Sequence, residues 1–522
     1  MNLFKAAFSV SALTLLSRIT GLVRDQIGAA LFGTSAMMDA FQIAFRIPNL
    51  LRRLFAEGAF AQAFVPMLAG TRAAQGDAVT RDLVDAVATV LAWALLATCA
   101  AGIAAAPALV WLLASGFAPA TEDAAVVMTR WMFPYIGCMS MVALASGVLN
   151  TWKRFAVPAF TPVLLNLSVI GAALLLVPQF RRLGVEPVYA LAAGVMIGGV
   201  LQLGIQVPAL LQIGMLPRLG LRPGRLLGAW RHPGVRQILS RMAPAMLGVS
   251  VAQVSLMLNS QIASHMGTGA VSTLVYADRL MELPTALLGV ALGVVLTPQL
   301  SAARALGDAA AYSALLDWGL RLVLLLGLPC AVALGVFAEP MVATLFHRGA
   351  FGGDAVRTVT LAVMGYGAGV IGLVGIKVAA PAYFAQQDTT TPMQVAIFAL
   401  LLTQALNALL ILGLGMGVTA LALSIGLAAN ANAAVLLWGL KRRGSYRPAA
   451  GWPGFALRVA AAGAVMGAGL LLASRQIDWV ALGTRDALRA GAMALALAAA
   501  AVVYFGLLAL MGVRLRSLMR RT

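Results

Sequence analysis

Residues 65–78 read VPMLAGTRAAQGDA, and residues 297–309 read TPQLSAARALGDA. Both spell P-x-L-x-x-x-R-A and then G-D-A, with one residue deleted from the second copy. Thr161-Pro162 and Thr391-Pro392 recur at nearly the same offset, as do Ala44-Phe45-Arg46 and Ala277-Asp278-Arg279. Three ordered matches at an offset of about 230 residues mark an internal duplication, not a chance likeness between alanine-rich helices.

What is duplicated is apolar. Of 522 residues, 61% are hydrophobic and 11% charged, whereas a soluble domain is about half apolar and about a quarter charged. Apolar runs fall at about 5–30, 36–69, 83–114, 124–149, 158–178, 186–211, 237–264, 271–302, 314–338, 355–384, 391–413, 417–440, 454–474 and 487–512. A spanning helix needs about 20 apolar residues, so the expected fold is an all-α polytopic membrane protein of about fourteen transmembrane helices. The first, second, eighth and tenth runs are the weakest, because they hold polar residues. Six helices per copy is an even number, so both copies share one orientation and are expected to be related by a pseudo-two-fold along the membrane normal. The expected parts are an N-terminal lobe at 1–215, a C-terminal lobe at 216–446, and two C-terminal helices at 447–522. Two parallel lobes around a cleft is an alternating-access transporter layout.

The formal net charge is +19, but the basic residues form no single patch of the kind nucleic acid would need. They recur in short loops after even-numbered runs: Arg72 and Arg81; Lys153 and Arg154; Arg218, Arg222, Arg225 and Arg231; Lys441, Arg442 and Arg443; and Arg514, Arg516, Arg520 and Arg521. Loops after odd-numbered runs are poorer; 115–123 has Glu122 and Asp123 and no basic residue. The positive-inside rule then places both termini in the cytoplasm. Lys5 and the apolar residues after it loosely resemble a signal peptide, but charges interrupt the run and more spans follow, so it reads as an uncleaved first helix.

Covalent chemistry has no visible machinery here. Cys99, Cys138 and Cys330 form no CxxC, and His232, His265 and His347 are scattered. There is no P-loop, no G-x-S-x-G, no H-E-x-x-H and no dinucleotide fingerprint. The expectation is a non-enzyme with no cofactor and no metal. Most glycines are expected to serve close helix packing.

The polar residues concentrate in two helices. The first run holds Ser17, Arg18, Arg24 and Asp25; seven residues is nearly two turns, so Arg18 shares a face with Asp25, and Ser17 with Arg24. The second holds Asp39, Arg46, Asn49, Arg52, Arg53 and Glu57. Spacings of seven and four make most of these one stripe, with Arg52 about 100° to its side. An intramembrane charge costs at least about 2.5 kcal/mol at the bilayer centre, so this cluster cannot face lipid. Pairing, such as Arg18 with Asp25 or Arg53 with Glu57, is the plainer account of any one residue. For the whole set, Arg18, Arg24, Arg46, Arg52 and Arg53 outnumber Asp25, Asp39 and Glu57. The surplus suggests an anionic ligand, and arginine's forked donors suit phosphate. The eighth run repeats the theme with Asp278, Arg279 and Glu282. Arg279 could pair with Glu282 at i,i+3, but as the second-lobe counterpart of Arg46 it is expected to face the same cleft. Lys377 is a further intramembrane cation, open to snorkelling, pairing or a cleft role.

At these residues the chain resembles a known family. The stretches SRITGLVRD (17–25), MMDAFQIAFRIPNLLRRLFAEGAFAQAFVP (37–66), NTWKRFAVPAFTP (150–162), YADRLMELP (276–284) and DWGLRL (317–322) are similar to the MurJ (MviN) family of bacterial lipid II flippases. That family lies within the multidrug/oligosaccharidyl-lipid/polysaccharide exporter superfamily. The resemblance covers essentially the whole chain, and the PNLLRRLFAEGAF run is its most specific part. It implies transport of lipid II, the undecaprenyl-pyrophosphate-linked disaccharide-pentapeptide, across the bacterial cytoplasmic membrane. The implied partners are that lipid and the surrounding membrane lipids, with a monomer working near the cell-wall synthesis machinery. Carried over by motif, the resemblance assigns Arg24, Arg52 and Arg279 to the pyrophosphate and Arg18 to supporting the cavity. Ser17 and Asn49 would hydrogen-bond the head group. Asp25, Asp39, Glu57 and Asp278 would gate or pair charges. Some members are thought to bind sodium in the second lobe; here Asn259 stands where an acid would be expected, and Asp388 is the nearby alternative. An exporter of another undecaprenyl-linked glycan, or a multidrug antiporter of the same superfamily, is the rival reading. The arginine excess argues against a drug-cation antiporter.

Overall fold

The computed structural model describes residues 3–52, 60–220 and 222–513. Among them every regular element is helical. Packing divides the chain into two compact units, Met1–Val271 and Ser272–Thr522.

Unit 1 holds α1 (Leu3–Phe32), α2 (Ala36–Arg52), α3 (Phe60–Ala104), α4 (Ala106–Ala114), α5 (Pro119–Met132), α6 (Tyr135–Thr151), α7 (Ala156–Arg182), α8 (Tyr189–Gly204), α9 (Gln206–Gln212), α10 (Pro223–Arg231) and α11 (Pro233–Ser264). Several expected spans are broken in two. Phe133-Pro134 separates α5 from α6, and Ala105, before Pro107, separates α3 from α4. Proline lacks the N–H that would close the turn, so the break is local and the span continues. The core of this unit stacks Phe60 on Phe64 at 4.9 Å and surrounds them with Leu68, Val84, Leu144, Val148 and Leu210. α10 packs on α3 here, and α11 packs on α3 and α4.

Unit 2 holds most of α12 (Ala270–Ala305), then α13 (Ala309–Val336), α14 (Ala338–Phe346), α15 (Gly353–Gly367), α16 (Val370–Ala385), α17 (Thr390–Ala408), α18 (Val418–Arg442), α19 (Trp452–Gln476) and α20 (Asp486–Leu510). α15 and α16 press on α18 through small residues: a Cβ on Gly369 would lie 2.3 Å from the Gly426 Cα. That is the close glycine packing expected of membrane helices. The DWGLRL motif holds the start of α19. Asp317 Oδ1 accepts from Trp452 Nε1 at 2.5 Å, Ala449 N at 3.0 Å and Tyr446 OH at 3.1 Å, while Oδ2 accepts from Arg321 Nε at 2.7 Å. α20 is tied to α13 where Tyr504 OH donates to Leu325 O at 2.7 Å.

Ten helical stretches among the described residues are long and apolar enough to span a membrane. With α1, α2, α11 and α12 they account for the fourteen runs of a multi-pass membrane protein. One expectation needs correcting: the tenth run is not among the weak ones. Gly353–Ala385 qualifies, because Asp354 and Arg357 sit at its start and leave Lys377 as the charge inside the apolar stretch.

The duplication is visible in the backbone of each unit. Gly76 and Gly307, the glycines of the two G-D-A triplets, both have positive φ, at 78° and 71°. That left-handed turn is open to glycine at no steric cost. It kinks α3 in one unit and separates α12 from α13 in the other. Lys153 and Gln387 are the two described non-glycine residues with positive φ, at 59° and 60°. They end α6 and α16 with the same two bonds: Lys153 N to Asn150 O and Arg154 N to Leu149 O, Gln387 N to Phe384 O and Asp388 N to Tyr383 O. Both are left-handed helix C-caps.

Candidate functional site

In unit 1 the centre of the polar cluster is Arg24. Its Nη2 and Nε donate to Asp25 Oδ1 at 2.7 and 3.0 Å, and its Nη1 donates to Asn166 Oδ1 at 3.1 Å. Asn166, on α7 and 6% exposed, in turn donates to Ser17 O at 2.9 Å and Thr20 Oγ1 at 3.1 Å. One amide therefore closes a ring from α1 through α7 and back to α1. The Arg24 and Asp25 side chains are 16% and 14% exposed, so the pair works in a medium that strengthens charged hydrogen bonds. Periodicity pointed to Arg18 beside Asp25; the structure pairs Asp25 with its neighbour Arg24 instead. A guanidinium is long enough to fold along the helix, so a shared face does not settle which cation reaches the acid. Arg18 is exposed and has no hydrogen bond or ion pair among the described residues. Ser17 is half-buried and contributes its carbonyl to Asn166.

On α2, Asp39 is 1% exposed and its Oδ2 accepts from Gly269 N at 2.6 Å, which anchors the turn between α11 and α12. Arg46 bonds through Nη1 to Ser260 Oγ on α11. Asn49 is half-buried, one turn past Arg46. Arg52 is the last residue of α2, and its side chain lies outside what the structure describes, as do Arg53 and Glu57 altogether.

In unit 2, Arg279 Nη1 donates to Glu282 Oε2 at 2.9 Å, with the two side chains 38% and 44% exposed. Asp278 is exposed beside it. Lys377 is exposed and has no ion-pair partner among the described residues; its stem runs against Gly289 of α12. Asp388, considered for sodium, uses both oxygens otherwise. Oδ1 accepts from Thr391 N at 2.9 Å, and Oδ2 from Thr391 Oγ1 and Arg443 Nη1, each at 2.6 Å. Arg443 first, and then Thr391, hold its pKa down at about 2. A cavity of about 480 Å³ in this unit, lined by Leu320, Ile371, Leu437 and Trp452 among others, is apolar and holds none of these charged residues.

Two participants escaped the sequence reading. Asn166 was legible as an amide inside the otherwise apolar run 158–178, but nothing in the chain connects it to Arg24. Arg489 on α20 is fully buried. Its Nη2 donates to Asp486 Oδ1 at 2.7 Å and His347 O at 3.1 Å, and its Nη1 lies 3.3 Å from His347 Nδ1. Its signal was an arginine inside an apolar run with an aspartate three residues before it.

A membrane chain with paired, partly buried arginines in each unit is matched by known proteins. The family model described as lipid II flippase MurJ matches residues 28–483. The lipid II flippase MurJ of Burkholderia cenocepacia is 48% identical over all of both chains. The probable lipid II flippase MurJ of Vibrio cholerae is 37% identical over 100% of this chain and 98% of the relative. Among solved structures, one titled lipid II flippase MurJ in an inward closed conformation has a TM-score of 0.77 at 22% identity, covering 98% of this chain and 99% of its own. An inward-facing multidrug resistance MATE family transporter has a TM-score of 0.67 at 15% identity, over 84% of this chain and 98% of its own. At those identities the structures support the fold alone, whereas the family model and the full-length relatives decide kinship: the chain belongs to the lipid II flippase MurJ family.

Proposed function

We propose that this protein flips lipid II from the inner to the outer leaflet of the bacterial cytoplasmic membrane by alternating access, with both termini in the cytoplasm and no covalent step. The observation that supports it best is the Arg24 ring. An arginine kept inside a membrane helix costs several kcal/mol unless its charge is used. Here Asp25 and Asn166 orient its fork. A lipid pyrophosphate needs such a group, because it must leave water with its charge intact. Forked guanidinium donors match phosphate oxygens two at a time.

In this reading Arg24, Arg52 and Arg279 hold the pyrophosphate and Arg18 supports them electrostatically. Ser17 and Asn49 hydrogen-bond the head group. Asp25, Asp39, Glu57 and Asp278 neutralise the arginines when no lipid is bound, and substrate replaces them. The test uses the purified full-length protein in vesicles carrying lipid II in one leaflet. Arg24→Ala and Arg279→Ala should each abolish translocation while the protein inserts normally. Full activity in both variants sinks the proposal. The same vesicles with another undecaprenyl-pyrophosphate glycan separate lipid II from that rival cargo.

A further inference from the structure

The segment joining α9 to α11 takes no part in the site, yet it is firmly placed. Asp85, Thr89 and Trp93 stand four residues apart on α3, and each makes one hydrogen bond with it. Arg218 N donates to Asp85 Oδ1 at 2.8 Å, Gly220 N donates to Thr89 Oγ1 at 3.0 Å, and Trp93 Nε1 donates to Gly220 O at 3.0 Å. α10 then lays Leu226 and Ala229 against the core of unit 1. What it turns outward is unusual: Leu227 is 61% exposed and Trp230 50%, with Arg222, Arg225 and Arg231 exposed around them.

Those arginines have little to answer them. No Asp or Glu occurs between Glu186 and Asp278. None of Arg218, Arg222, Arg225 and Arg231 has an ion-pair partner among the described residues. Asp85 meets the backbone of Arg218, not a guanidinium. The segment starts within a few residues of Gln212, where the preceding span ends, so it sits beside the membrane surface. A soluble acidic partner would account for the arginines but not for the exposed tryptophan and leucine at that level. A lipid surface accounts for both. Tryptophan and leucine enter the headgroup–acyl boundary, and clustered arginines draw acidic headgroups.

We propose that residues 216–220 and 222–232 form a seat for the anionic headgroup of a phospholipid in the cytoplasmic leaflet. The arginines take the phosphate while Leu227 and Trp230 anchor in the acyl boundary. The fixed bonds to α3 mean the seat exists before the lipid arrives, so little ordering opposes binding. This lipid is separate from the transported one, and the seat depends on the loop orientation but not on lipid II.

The test uses full-length protein in detergent, with phosphatidylglycerol or phosphatidylcholine added and retained lipids counted by native mass spectrometry. Wild type should retain phosphatidylglycerol preferentially. The triple variant Arg222→Gln, Arg225→Gln, Arg231→Gln should lose that preference by roughly fivefold per arginine. Arg181→Gln with Arg182→Gln, which removes two arginines from the end of α7, should leave it unchanged. Equal retention by the triple variant and wild type overturns the seat, even if that variant fails in cells, an outcome that assigns the arginines to a protein partner. A second measurement needs no charge change: brominated phosphatidylglycerol vesicles should quench emission that Trp230→Phe removes. Quenching no stronger than with brominated phosphatidylcholine also overturns it.

Discussion

Units 1 and 2 turn the chain with the same devices and then hold their cations differently. Each has a glycine–aspartate turn, at Gly76 and Gly307, and each has a left-handed corner, at Lys153 and Gln387. Even these devices have diverged in detail. Asp308 caps α13 by accepting from Ala311 N at 2.8 Å, whereas Asp77 accepts from Arg72 Nε at 3.0 Å. The cations diverge further. Arg24 uses three nitrogens on two partners and is largely buried, while the ion pair of Arg279 with Glu282 uses one nitrogen and is more than a third exposed. Backbone turns survive duplication because every copy must reverse direction at the membrane surface. Side-chain partners are free to change once two copies exist, and Arg24 is the more deeply buried of the two cations.

The sharpest test of that difference replaces each arginine by lysine. Lysine keeps the charge but offers a single nitrogen and no fork. Arg24→Lys should cut translocation by roughly tenfold to a hundredfold, the worth of one charged hydrogen bond of about 1.5–3 kcal/mol. Arg279→Lys should cost less than about threefold, since a lysine can still meet Glu282. Equal losses in a vesicle translocation assay would break the comparison.

A pair of asparagines sharpens it. Asn166 ties a cation, but Asn430 in unit 2 ties only backbone, accepting from Gly372 N at 2.9 Å and donating to Ala368 O at 2.7 Å. Leucine at either position should destabilise the protein by about 1–3 kcal/mol, the cost of partners left unsatisfied. Only Asn166→Leu should also lower translocation, by about tenfold, because only there does an arginine proposed to hold the pyrophosphate lose its support. Unfolding in mixed micelles and translocation, measured on both variants, separate the two effects.

The asparagines also mark where the sequence stops speaking. The runs, the duplication and the charge surplus follow from composition and period, which are local properties of the chain. The Arg24–Asp25 pair does not, since helical period assigns faces and not the reach of a long side chain. Asn166 is 142 residues from Arg24, and only the packing of α1 on α7 brings them together. Arg489 was passed over for the same reason: its partner His347 lies on another helix end.

That histidine gives a smaller, pH-dependent contrast. In unit 1, His265 Nε2 lies 3.1 Å from the neutral Ser115 Oγ. In unit 2, His347 Nδ1 faces Arg489, which can only donate, so the imidazole must accept and stay neutral. Burial first, then the Arg489 and Arg348 charges, lower the pKa of His347 against a weaker pull from Asp486. A histidine lowered on folding binds fewer protons folded than unfolded. Its contribution is complete above the ordinary value of about 6.5 and is lost as pH falls from there through the lowered value. Hydrogen exchange at the start of α20 should therefore quicken on acidification, and His347→Gln should remove that response.

The smallest effect is expected where the units agree most. Lys153 and Gln387 hold φ near 60° with a Cβ present, in a conformation that costs a non-glycine residue roughly 1–2 kcal/mol. Lys153→Gly and Gln387→Gly should relieve that strain, less the roughly 0.5–1 kcal/mol of extra freedom glycine gains unfolded. Each should raise stability by about 0.5 kcal/mol in the same direction, seen as a small rise in the midpoint of unfolding, with translocation unchanged. The two sites have one difference. Arg443 stacks on Tyr383 and bonds Asp388, the residue after the Gln387 corner, while Arg72 stacks on Trp152, the residue before the Lys153 corner. If one substitution stabilises and the other destabilises, the corners are not equivalent, and the side chain at the failing one does more than tolerate its turn.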